Sequence, residues 1–385
     1  MKPPQAYRGS EQTYVKHFFL ERYLERVAYN IFSFESEFVY VDGFSGPWRS
    51  TDEKFKDTSF VIALDKLRTI KDGVRHRGKL ANPRCVFIER NPASFRDLQS
   101  AISEISDIEV VALQGEFQQL VPQIVSEIRR NFSFVFIDPT GWTGFDMRDI
   151  RPLIRLRGEV LINFMFDHIN RFVQHPSPTT AATFNSLFGV QNWYDLYLAH
   201  ADRGLSREDA IISVYMDRLR KEGAFEHVTC TRIKKPLSER SYFYLIYGTR
   251  HWKGILEFRK VEKKAVGEQE QVIESAKRQH QESRTGQLNL FSGNPNLGSN
   301  LPFQEQRNLK LTLGRALMIS VLQTNDHVAY EKLLGKVLET PLVWQSDVNE
   351  WLRDLHKEGT IEITGMRANE RIPKRGNLIS WRKGN

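Results

Sequence analysis

Apolar residues recur at helical spacing between Lys16 and Phe34 (Phe18, Phe19, Tyr23, Leu24, Val27 and Ile31), which predicts an amphipathic helix ahead of the first strand. The pattern then changes to short, nearly continuous apolar runs, as in strands buried on both faces. Five such runs follow in order: Phe38–Val41, Arg84–Ile88, Ile108–Leu113, Phe134–Ile137 and Glu159–Phe164. Helical segments separate the earlier ones, at Phe60–Ile70 (capped by Thr58 or Ser59), around Pro92–Ile105 and at about Phe117–Arg130. This rhythm predicts a parallel sheet covered on both faces.

The pattern changes again after the fifth strand. Residues 167–205 mix polar and aromatic positions around Pro176-Ser177-Pro178 and read as an insertion of short helices. A helix at Ser206–Lys221 then precedes two β-rich runs, His227–Ile233 and Tyr242–Gly248. The segment joining these runs is too short for a crossover helix, so they should form an antiparallel hairpin. Five strands in βα alternation closed by such a hairpin describe an α/β fold with the Rossmann-like sheet of a class I methyltransferase. A dehydrogenase-type sheet would continue with parallel crossovers.

A charged helix at His251–Arg284 leads into a Gly-, Asn- and Ser-rich stretch at 286–300, whose composition buries little and predicts a flexible linker. Three short helices (Leu309–Leu322, Tyr330–Leu338, Ser346–Glu358) and two β segments (Thr360–Thr364, Leu378–Trp381) follow, with a basic loop between the strands. These elements predict a winged helix. The expected division is a methyltransferase-like domain at 1–262, a charged helix and linker at 263–303, and the winged helix at 304–385.

A chain of 385 residues is long enough for two domains. Its formal net charge of +8 favours a polyanionic partner, and nucleic acid (DNA or RNA) is the expected one. The two cysteines, Cys85 and Cys230, are far apart and lack metal-ligand spacing, so no metal is expected and a reducing compartment fits. With no signal-peptide pattern and no membrane-length apolar run, the expected location is cytoplasmic and away from the membrane.

Candidate chemistry lies at the strand ends. The first strand breaks into Asp42-Gly43-Phe44-Ser45-Gly46-Pro47, a glycine turn that lets a nucleotide cofactor approach the backbone closely. The second ends in Glu89-Arg90, where Glu89 would accept hydrogen bonds from ribose hydroxyls. After the third, Gly115-Glu116-Phe117 would border an adenine. After the fourth, Asp138-Pro139-Thr140-Gly141-Trp142 stands where amino-group methyltransferases carry an Asp/Asn-Pro-Pro-aromatic loop. There Asp138 and Pro139 would hold a target amine, with Asp138 also bordering the cofactor, and Trp142 would stack on a base. Asn163 could add an amide to this cleft, with Asp167, His168 and Arg171 close behind. Arg367, Arg371, Lys374 and Arg375 on the basic loop suit phosphate contacts. Each feature taken singly also fits an ordinary role: a solvated carboxylate, a βα turn, an Asp-Pro turn, surface charge. Their order along the chain favours the functional reading.

On these residues the chain resembles the three-Cys-motif partner protein (TcmP) family. The resemblance rests on Lys16-His17-Phe18-Phe19, Val41–Pro47, Phe87-Ile88-Glu89, Phe136–Gly141 and Ile162-Asn163-Phe164, and covers roughly the first 250 residues. It implies a methyltransferase-like fold, S-adenosyl-L-methionine as cofactor and a partner protein carrying a three-cysteine motif, which this chain lacks. Trp48 departs from the commoner turn, where a third small residue is frequent. The expected function is S-adenosyl-L-methionine-dependent methylation of an exocyclic amine in a nucleic-acid base. The alternatives are a non-catalytic cofactor-sensing or nucleic-acid-binding partner subunit, or a methyltransferase acting on a small molecule or protein.

Overall fold

Seven strands pair into one sheet: β1 (Glu37–Asp42), β2 (Asn82–Glu89), β3 (Glu109–Gln114), β4 (Ser133–Ile137), β5 (Gly158–Phe164), β6 (His227–Lys234) and β7 (Ser241–Thr249). The computed structural model describes residues 4–46, 55–170, 173, 177–237, 241–285, 301–367 and 369–382. The strand order is β3-β2-β1-β4-β5-β7-β6. β1 to β5 run parallel, whereas β7 lies antiparallel to both β5 and β6. This is the class I methyltransferase arrangement anticipated from the terminal hairpin. Chain direction across the sheet reverses between β1 and β4, and ligands of open α/β sheets bind beside such a switch point, at the carboxyl ends of the strands.

Two-residue periodicity divides the central strands into an aliphatic and an aromatic face. Val39, Val41, Val86, Ile88, Val135 and Ile137 join one core, together with residues of α4 (Phe117–Ile128), α5 (Met147–Ile154) and α9 (Arg207–Gly223). On the opposite face Phe38, Tyr40, Phe87 and Phe134 meet α1 (Glu11–Phe32) and α2 (Ser59–Arg75). There Phe32 and Phe38 ring centroids lie 5.9 Å apart, Tyr23 and Phe134 5.3 Å, and Phe60 and Phe87 5.8 Å. α3 (Pro92–Ile102) completes the early βα units, its N-cap Asn91 accepting from the N–H groups of Ala93 and Ser94. α5 was not anticipated: it has eight residues and contains Pro152, so its sequence reads as a breaker.

The segment after β5 forms α6 (Phe166–Asn170), α7 (Pro178–Phe188) and α8 (Trp193–Ala201). Phe184, Phe188 and Trp193 pack there as an aromatic cluster, with centroids of 4.9 Å for Phe184–Trp193 and 5.4 Å for Phe188–Trp193.

The chain divides into two units, Met1–Arg250 and His251–Asn385. The second unit contains α10 (Trp252–Thr285), α11 (Leu301–Thr324), β8 (Val328–Ala329), α12 (Tyr330–Val337), α13 (Gln345–Lys357), β9 (Ile361–Thr364) and β10 (Leu378–Trp381). Its antiparallel sheet has the order β8-β10-β9. The division falls at 250/251 and not at 262, because α10 is one continuous helix that supplies Ile255 and Leu256 to this unit's core. Arg259 of α10 also donates to the Leu338 carbonyl at 2.7 Å. The expected linker at 286–300, Pro47, Trp48, Arg171 and the hairpin tip at 238–240 lie outside the described residues. No helix of the described residues is long and apolar enough to cross a membrane.

Candidate cofactor and target site

The turn after β1 is stitched to both neighbouring strands. Gly43 N–H donates to the Phe136 carbonyl at the end of β4 (2.9 Å), and Ser45 N–H donates to Ile88 O of β2 (2.8 Å). The Ser45 hydroxyl donates to Asp42 O at 2.9 Å and accepts from Ile88 N–H at 3.3 Å. Asp42 and Ser45 are therefore buried supports of the turn. Asp42 Oδ1 accepts from Phe44 N–H (3.2 Å) and Oδ2 from the Tyr40 hydroxyl (3.4 Å). Burial pushes the Asp42 carboxyl up to about 6, with the Ser59 and Phe44 hydrogen bonds opposing the rise.

A cleft of about 570 Å³ opens over this turn. Of the residues expected to hold a cofactor, Gly43, Phe44, Glu89, Arg90, Gly115, Glu116 and Phe117 line it. Asp42, Ser45, Gly46 and Asp138 do not. Glu89 Oε1 accepts from Asn91 N–H at 2.6 Å, which fixes the carboxylate at the cleft wall. Arg90 and Glu116 form a 3.4 Å ion pair and are both largely solvent-exposed. Phe117 packs against Phe44 with centroids 5.5 Å apart. A Cβ on Gly43 would come within 2.9 Å of the Phe117 ring, so glycine is what allows ring and turn to meet. Sequence reasoning missed Asn91, Ser94, Gln118, Gln119, Thr143 and Gly144 as lining residues. For Asn91 a signal existed, since Asn-Pro opens a helix directly after the strand-end carboxylate.

The target-side residues meet beside this cleft. Thr140 and Gly141 line it, while Asp138 is held from two directions. Lys16 of α1 donates to Asp138 Oδ2, and Asn163 Nδ2 donates to Oδ1 at 2.5 Å. The ion-paired side chains are 11% and 14% exposed, so the pair is partly desolvated. Asn163 is itself buried, and its Oδ1 has no hydrogen-bond partner among the described residues. Trp142 does not line the cleft; its ring packs edge-to-face on Phe184 of α7, centroids 4.7 Å apart. The side chains of Asp167 and His168 lie outside the described residues.

No family model and no curated protein matches this chain. Among solved structures, a Legionella pneumophila protein of the family DUF519 is 10% identical with a TM-score of 0.33, covering 61% of this chain and 84% of its own. Loganic acid methyltransferase with SAH is also 10% identical, with a TM-score of 0.28, covering 69% of this chain and 88% of its own. Likenesses of this size decide nothing about activity, which has to be argued from the site.

In the second unit Arg367, Arg371, Lys374 and Arg375 are all exposed on the segment between β9 and β10. Glu370 tempers this basic loop, pairing with the Lys374 ammonium at 2.9 Å and accepting from Arg367 N–H at 3.1 Å.

Proposed function

We propose that the chain is an S-adenosyl-L-methionine-dependent methyltransferase that acts on an exocyclic amine of a nucleic-acid base. The observation that carries this reading is the cleft at the switch point of a class I methyltransferase sheet, with the Glu89 carboxylate fixed at its wall. The residues present suit the cofactor. Glu89 is an acceptor for a ribose diol, the Gly43 turn leaves its backbone open to close approach, and Phe44 and Phe117 supply apolar walls. When bound, the cofactor supplies an electrophilic methyl group. The protein's part is to bind it, exclude water and place the amine lone pair in line.

Asp138 and the Pro139 carbonyl would orient that amine, with Asn163 beside them. Trp142 shapes the loop through its edge-to-face contact with Phe184. The second unit would dock the polymer, its helices α11, α12 and α13 and small sheet reading as a winged helix with the basic loop as wing. This architecture fits the three-Cys-motif partner family, and a three-cysteine-motif protein is the partner that family implies.

One observation favours the non-catalytic alternative: both Asp138 oxygens already hold donors from within the chain. Incubation with methyl-tritiated S-adenosyl-L-methionine and mixed DNA and RNA separates the two. Catalysis predicts label in nucleic acid that disappears with Asp138→Ala. No incorporation with or without the partner protein supports the cofactor-sensing subunit, and label found only in protein or small molecules moves the substrate class.

A further inference from the structure

Lys16 is the residue for which the methyl-transfer reading has no role so far, although its charge lies at the centre of the target side. It comes from the helix ahead of β1, 122 residues from the aspartate it grips. Besides the Asp138 pair, its ammonium sits 5.9 Å from the Phe243 ring centroid on β7 and helps offset the charge of buried Asp42. Asp138, Asn163 and Lys16 thus bring a carboxylate, an amide oxygen without a partner among the described residues and a fixed cation to the same strand ends. Asp42 lies behind them with its oxygens already taken by Phe44 N–H and the Tyr40 hydroxyl.

A lone carboxylate would attract any cation, including an alkyl ammonium. A carboxylate already paired with a fixed ammonium has little net charge, and the ammonium repels a second one. Such a site still offers acceptor atoms, and the buried Asn163 Oδ1, which has no hydrogen-bond partner among the described residues, is one that an incoming N–H would satisfy. We propose that Lys16 is a specificity-determining residue that keeps the target position open to uncharged amine N–H donors and closes it to ammonium groups. This rests on reading the cleft as a methyl-transfer site. It selects an aryl-type amine, such as a nucleobase carries, over a lysine side chain or an aliphatic polyamine.

The test uses the full chain saturated with S-adenosylhomocysteine, titrated by ligand-observed NMR with n-butylammonium and with butyrate at neutral pH. Removing the fixed cation in Lys16→Met should tighten n-butylammonium binding by about tenfold or more over wild type, from Coulomb terms at a partly desolvated site. Lys16→Arg should leave it unchanged. Asp138→Asn, nearly isosteric, leaves the Lys16 charge unopposed and should favour butyrate over n-butylammonium. If Lys16→Met and wild type bind n-butylammonium equally, the proposal is wrong. Should Lys16→Met not fold, the Asp138→Asn arm decides, and an unchanged preference there overturns the proposal. Failure of wild type to bind S-adenosylhomocysteine at all would instead remove the methyl-transfer reading underneath.

Discussion

Gly43→Ala tests whether the glycine turn is built around the Phe117 ring. The added Cβ would stand 2.9 Å from Phe117 Cε2, 3.0 Å from Cδ2 and 3.3 Å from Cζ, so the ring has to move by a few tenths of an ångström. The ring is only 2% exposed and is wedged against Phe44, so little free space receives it. Overpacking of this kind costs about 1–3 kcal/mol, while the loss of glycine's unfolded-state freedom returns roughly 0.4–1 kcal/mol. The net expectation is a destabilisation of about 1–2 kcal/mol, read from urea unfolding. Gly141→Ala is the control, because no atom of the described residues lies within 4 Å of its Cβ position; it should stay within about 0.5 kcal/mol of wild type. In a double-mutant cycle Phe117→Leu should relieve the clash, giving a coupling on the order of 1 kcal/mol. Gly43→Ala no worse than Gly141→Ala, or additive with Phe117→Leu, would refute the reasoning.

Three further outcomes follow from other parts of the chain. Asp42 binds its proton more tightly folded than unfolded, so its contribution is greatest below pH 4 and is lost as pH rises through about 6. Between pH 4 and 7 wild type should therefore lose about 2 kcal/mol more than Asp42→Asn, measured by urea unfolding across pH. In the second unit Arg259 and Glu262 form a fully buried pair, and Arg259 also holds the Leu338 carbonyl. Arg259→Met should destabilise that unit by about 3–5 kcal/mol in chemical denaturation, because it removes the cation facing the buried Glu262 carboxylate. Lys374→Glu with Arg375→Glu on the basic loop should weaken oligonucleotide binding and lower the salt slope by about 1–2, with S-adenosylhomocysteine affinity unchanged.

The fold was legible because its strands announce themselves twice, by length and by parity. Phe38-Val39-Tyr40-Val41 and Phe134-Val135-Phe136-Ile137 alternate aromatic and aliphatic residues, and the structure sends these to opposite faces. The same parity sets which way Asp42 faces. Asp42 continues the Phe38 and Tyr40 side of β1, so its carboxylate turns inward toward Tyr40 and away from the cleft. Glu89, Gly115 and Phe117 each sit at a strand end or turn that forms the cleft wall, a position the end of an apolar run marks in the sequence. The Lys16–Asp138 pair left no local trace, since only the packing of α1 on the finished sheet brings the two together. α5 was hidden by Pro152, which reads as a breaker although packing against α4 and α9 holds the helix. Trp142 fitted an aromatic motif, but its place was decided by Phe184, more than 40 residues later.

The central claim is that the cleft over Gly43 binds S-adenosyl-L-methionine through Glu89, and calorimetry with S-adenosylhomocysteine tests it directly. Wild type should bind one equivalent per chain, and Glu89→Ala should lose roughly tenfold to hundredfold in affinity, as expected when hydrogen bonds to a charged acceptor are removed. Absence of binding by wild type, or equal affinity in Glu89→Ala, would contradict the account.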